Sequence, residues 1–81
     1  MPNYTEQARQ AINEIRSYLK NAPPGVSHID VRAGDLAEAL GIPAKNVKSV
    51  ADALYEKMNS KDQVIEEPPS GLGANLTIRF R

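Results

Sequence analysis

Gly41 and Pro43 stand two residues apart inside a stretch whose apolar residues otherwise recur at helical spacing. That interruption constrains the fold more than any other feature of the chain. Before it, Leu36, Ala37 and Leu40 mark one side of a short helix expected over roughly 33–40. After it, Val47, Val50, Ala51, Leu54 and Met58 fall within a stripe about 100° wide on a helical wheel. That stripe predicts a helix from Pro43 to near Asn59. Glycine takes the left-handed conformation that ends a helix cheaply. Proline suits a first helical position, where its missing N–H has no internal partner to lose. The two helices must therefore meet at a sharp turn of a few residues.

The rest of the chain supplies one long helix and three extended segments. Asn3 is a good N-cap, with Glu6 three residues on, for a helix from Tyr4 to about Asn21. Ala8, Ile12, Ile15 and Leu19 repeat along it, while Arg9, Asn13, Arg16 and Lys20 fall on or near the other face. "APPG", Ala22 to Gly25, stops it. "VSHIDVR" alternates Ile29 and Val31 with Asp30 and Arg32, as a short strand does. "QVIEE" (Gln63 to Glu67) and "NLTIRFR" (Asn75 to Arg81) read as two more strands. In the second, Leu76, Ile78 and Phe80 point one way and Thr77, Arg79 and Arg81 the other. The intervening "PPSGLGA" is too long and proline-rich for a tight hairpin turn.

Eighty-one residues suffice for one small core and no more. The expectation is a single domain over 1–81. No apolar run approaches the ~18 residues of a membrane span. The start, "MPNYTEQARQ", lacks the basic and then apolar segments of a secretory signal. With no cysteine in the chain there is no disulfide, thiol nucleophile or thiolate metal site. A cytoplasmic protein without cofactor or metal is the expectation. Ten basic residues balance ten acidic ones, which argues against strong non-specific binding to phosphate. Any nucleic-acid affinity must come from a local patch.

Two helices joined by a short glycine-containing turn form a helix-turn-helix. Leu36, Ala37, Leu40, Gly41, Ile42, Val47 and Val50 match its pattern of apolar and small positions. Followed by a hairpin, the whole chain resembles a winged helix-turn-helix domain. The resemblance implies an α+β fold of three helices, a C-terminal β-hairpin, and a short strand between the first and second helices. "LGIPAKNV" and the Pro68-Pro69 pair further resemble the Z-DNA-binding branch of these domains. That branch carries an asparagine and a tyrosine one turn apart on the third helix, with an aromatic after the prolines. Lys48 and Asp52 stand at the aligned positions here, and Ser70-Gly71 follows the prolines. The likeness therefore extends to the fold and not to that activity.

In such domains the N-terminal part of the third helix meets base edges. Lys45, Asn46, Lys48 and Ser49 are the residues the resemblance puts there. Lysine donates to guanine or phosphate, asparagine pairs with adenine at two points, and serine suits either. Arg79, on the last strand, and Arg32, beside the N-terminal end of the second helix, are candidates for backbone phosphate. Asp52 and Glu56 oppose deep insertion of the helix. The expected function is duplex DNA binding in transcription control, in a protein of prokaryotic or viral type. A homodimer would offset one weak module with two half-sites.

The competing expectation is a protein-binding winged-helix adaptor, with Leu72 in the acidic loop as its anchor. Tyr18 and Tyr55 are expected at the core boundary with their hydroxyls in water. An enzyme has little support. His28 and Asp30 share a strand face, but Ser27 is expected on the other face, and no phosphate loop, dinucleotide fingerprint or zinc spacing occurs.

Overall fold

The structure is a computed structural model that describes residues 3–69 and 73–81. Leu72, with Ser70 and Gly71, lies outside the described residues. In chain order the elements are α1 (Tyr4–Lys20), β1 (Ile29–Arg32), α2 (Ala33–Ala39), a single 3-10 turn (Ala44–Asn46), α3 (Val47–Lys57), β2 (Gln63–Glu66) and β3 (Thr77–Phe80). The fold is α+β, with three α-helices and one three-stranded antiparallel sheet among the described residues.

α1 begins as its sequence requires. The Asn3 side chain accepts a hydrogen bond from the Glu6 N–H at 2.9 Å, satisfying one of the first-turn donors that no helical carbonyl reaches. The helix buries Ala8 and Ile12 and sets Ile15 and Leu19 against the same core.

α2 ends at Gly41 for a backbone reason. Gly41 adopts φ +70°. Its N–H bonds the Glu38 carbonyl at 3.1 Å, and the Ile42 N–H bonds the Ala37 carbonyl at 2.8 Å. These are the two bonds of a Schellman cap, and buried Ile42 supplies the apolar contact that accompanies it. The turn is therefore held at both its polar and its apolar ends.

The next helix starts later than Pro43. Pro43 caps the 3-10 turn, accepting from the Asn46 N–H at 2.8 Å, and α-helix proper begins at Val47. α3 ends at Lys57, short of Asn59. The stripe predicted for it is also too narrow, because Ala53 is fully buried beside Val50, Ala51 and Leu54. α3 packs on both α1 and α2, and two neighbours demand a wider apolar face than one.

The sheet order is β1-β3-β2. β3 is central and buries Ile78 and Phe80, with Leu76 just before it. β1 pairs with it in the register Ile29↔Phe80, Asp30↔Arg79, Val31↔Ile78, Arg32↔Thr77. The Ala33 N–H donates to the Leu76 carbonyl at 2.8 Å and the Gly34 N–H to the Ala74 carbonyl at 2.9 Å, so the ladder runs on into the first turn of α2. β2 forms the outer strand on the other side of β3 from β1, and its register slips between Val64 and Glu66, a bulge at Ile65.

A buried carboxylate closes the molecule at the far ends of α1 and α3. The Asp62 side chain is fully buried. It accepts from Arg16 at 2.5 Å, from the Asn59 N–H at 2.9 Å and from the Arg81 N–H at 3.0 Å. Arg16 also donates to the Lys57 carbonyl and places its guanidinium 5.0 Å from the centre of the Phe80 ring. Burial alone would push the Asp62 carboxyl up. The Asn59, Arg16 and Arg81 donors outweigh it and hold the group below the usual carboxylate range. Arg16 is thus not a solvated residue of the outer helix face, as its position in the repeat suggests. Tyr18 departs from expectation in the opposite sense, standing 53% exposed.

Candidate nucleic-acid interface

Lys45, Asn46 and Ser49 come together. With Pro43 they form one wall of an open groove of about 710 Å³, whose other wall is Asn3, Tyr4 and Thr5 at the start of α1. The 3-10 turn produces this arrangement by tightening the chain between Pro43 and Val47 before α3 begins. Lys45 is exposed, while Asn46 and Ser49 are half-buried. Asn46 sits at the N-cap of α3 without spending its side chain on a capping bond. Its amide is available for other partners, whereas the Val47 N–H that opens α3 is already bonded to the Ala44 carbonyl.

Lys48 is exposed and lies outside the groove lining. Neither Lys45 nor Lys48 has an acidic partner among the described residues. Both ammonium groups face water at the leading end of α3, where the helix dipole is positive.

The two candidate arginines are differently placed. Arg79 lies opposite Asp30 in the β1–β3 register and grips its carboxylate with two bonds, at 2.8 and 3.1 Å. The bonded guanidinium holds the Asp30 carboxyl below its usual range, and the carboxylate raises Arg79 in return. Arg32 donates to Asp35 at 3.1 Å and to the Asn75 side chain at 2.8 Å. The α2 N–H groups beside it are already bonded to Leu76 and Ala74. Neither arginine is a free cation, and neither lines the groove with Lys45.

The acidic end of α3 is partly neutralised. Glu56 accepts two bonds from Arg9, at 2.5 and 3.1 Å, and the hydrogen-bonded guanidinium lowers its carboxyl. Arg9 also reaches Glu6 at 3.2 Å. Asp52 remains exposed. The Tyr55 hydroxyl donates to Glu67 at 3.2 Å, tying the end of β2 to α3.

Ser27 Oγ lies 3.0 Å from His28 Nδ1, so the two are not on opposite faces as a regular strand would place them. Both are exposed and precede β1. The Asp30 carboxylate is committed to Arg79, and the pair offers no enclosed cleft for nucleophilic chemistry.

Sequence reasoning singled out three groove residues but not Asn3, Tyr4 or Thr5, which only the packing of α1 against α3 brings alongside. Among the described residues, no helix is long and apolar enough to cross a membrane. The chain matches no family model, no curated protein and no solved structure.

Proposed function

We propose that the chain is a winged helix-turn-helix domain that binds duplex DNA in transcription control, reading it with the first turns of α3. The observation that carries this reading is the grouping of Lys45, Asn46 and Ser49 along one open groove at the start of α3. Two cations without acidic partners, an uncommitted amide and a hydroxyl are what base edges and phosphates bond. The Schellman-capped turn and the two-sided packing of α3 support it further, because a reading helix must be rigidly aimed. The order β1-β3-β2 supports the winged architecture.

Only a few phosphate contacts are available on this reading, so binding is modest and depends on salt. The test is fluorescence anisotropy with duplex DNA across a salt series. Lys45→Ala and Lys48→Ala should each weaken binding. Each should also make the slope of log affinity against log salt shallower by about 0.9, the share of one phosphate contact. Unchanged affinity and slope in both variants would remove the reading.

A further inference from the structure

β2 is one of the two outer strands of the sheet, and all four of its residues are exposed. Val64 is 38% and Ile65 42% exposed, two neighbouring aliphatic side chains on an edge whose far side carries no strand among the described residues. Soluble proteins commonly guard such edges with lysine. β2 itself carries no Lys or Arg, and the one cation bonded to it among the described residues, Arg81, meets its first residue, Gln63, at 3.0 Å rather than the aliphatic pair. Glu66 and Glu67 follow the aliphatic pair instead, and no cation pairs with either among the described residues.

We infer that β2 is a docking edge for a short, extended, basic segment of a partner protein, taken up by strand addition. Backbone groups of the edge supply the hydrogen bonds, Val64 and Ile65 the apolar contact, and Glu66 the selection for lysine or arginine, with Glu67, held by the Tyr55 hydroxyl, adding negative charge beside it. The bulge at Ile65 interrupts the regular ladder, so the edge does not accept any strand indiscriminately. Side-chain charge then decides what stays. A nucleic acid is disfavoured because it would bring phosphates to the two glutamates. A second copy of β2 would bring the same carboxylates and no cation of its own. No residue of β2 lines the groove, so this inference stands apart from the DNA reading and fails independently of it.

The test is a nitrogen–proton NMR titration of the intact chain at about 0.15 M salt. The probes are a capped alternating lysine–valine hexapeptide and its glutamate–valine counterpart. The lysine peptide should shift the amides of Gln63 to Glu67. The glutamate peptide should bind about tenfold more weakly or worse, as should the lysine peptide to Glu66→Lys. Glu66 is exposed, so that variant folds as the parent does. Equal binding of both peptides, shifts confined to other elements, or undiminished binding by Glu66→Lys would overturn the inference. Self-association through β2 in the absence of peptide would also overturn it, by making a second copy the occupant.

Discussion

Arg16 donates to Asp62 at 2.5 Å across 46 positions of sequence, and this pair joins three parts of the fold that, among the described residues, share no other polar anchor of comparable burial. Arg16 belongs to α1, the Asn59 N–H on the same carboxylate follows α3, and the Arg81 N–H follows β3. Phe80 beneath the guanidinium belongs to the sheet. The pair holds the end of the molecule opposite the groove.

Removing one member of such a pair leaves buried donors without an acceptor. Asp62→Ala should lower the unfolding free energy by about 2–4 kcal/mol, somewhat below the usual range for a fully buried pair because Arg16 retains some access to water. Urea denaturation measures this. A loss within about 0.5 kcal/mol, typical of an ordinary surface site, would show that the carboxylate is not a structural anchor.

The same residue fixes a pH dependence. The folded-state pKa of Asp62 lies below its ordinary value, so the unfolded chain binds the proton more readily. Its contribution to stability is complete above about pH 4, near the unfolded pKa, and is lost as pH falls through the lower folded value. Asp30 and Glu56 shift in the same direction and add to this acid sensitivity. Denaturation midpoints measured from neutral pH downward should fall steeply below pH 4, and Asp62→Asn should flatten that fall. Parallel curves would contradict the assignment.

Gly41, which ends α2, and Gly34, in its first turn, should fail for different reasons when substituted. At Gly41 an added Cβ would meet nothing within 4 Å, so Gly41→Ala carries only the strain of φ +70°, about 1 kcal/mol. Gly41→Asn should cost less, because asparagine tolerates that conformation. At Gly34 the backbone is unstrained but crowded. An added Cβ would lie 2.7 Å from Arg32 Nη1, 3.1 Å from Ala74 Cβ and 3.2 Å from the Ala74 carbonyl oxygen. Arg32 can swing aside, but the Ala74 backbone must move. Gly34→Ala should therefore speed hydrogen exchange at its own amide, which bonds Ala74, whereas Gly41→Ala should not affect that amide.

The parts of the fold that were legible in sequence are those set by local chemistry. Asn3 capping α1, Gly41 ending α2 and the Val47–Val50–Leu54 stripe each depend on neighbours within a turn or two. The features that sequence left hidden depend on distant partners. The wheel could not show Ala53 as buried, because α3 packs on two helices and the width of its buried face depends on both. Nothing beside Asp62 in the chain marks it as the acceptor for Arg16, Asn59 and Arg81. The 3-10 turn over Ala44–Asn46 escaped notice because its short polar sequence serves equally as a first turn of α-helix. At the candidate site, the helix-turn-helix resemblance groups Lys45, Asn46, Lys48 and Ser49, and all of these but Lys48 line the groove. It could not reveal that Arg79 is held by Asp30, a partner 49 positions away.

That last pairing makes a prediction of its own. With Arg79 engaged, Arg79→Ala should leave DNA affinity nearly unchanged. Asp30→Ala should free the guanidinium and, if phosphate lies within reach, steepen the salt dependence by at most about 0.9. A large loss of affinity in Arg79→Ala, measured by anisotropy, would show that the sheet and not α3 carries the contact.

The most direct measurement is an amide NMR titration of the chain with duplex DNA at low and moderate salt, repeated with the Lys45→Glu/Lys48→Glu double variant. The account predicts shifts concentrated at Lys45 to Ser49 and at Tyr4 and Thr5 across the groove, weakening with salt and abolished in the double variant. Shifts absent from those residues, or undiminished when both charges are reversed, would contradict it.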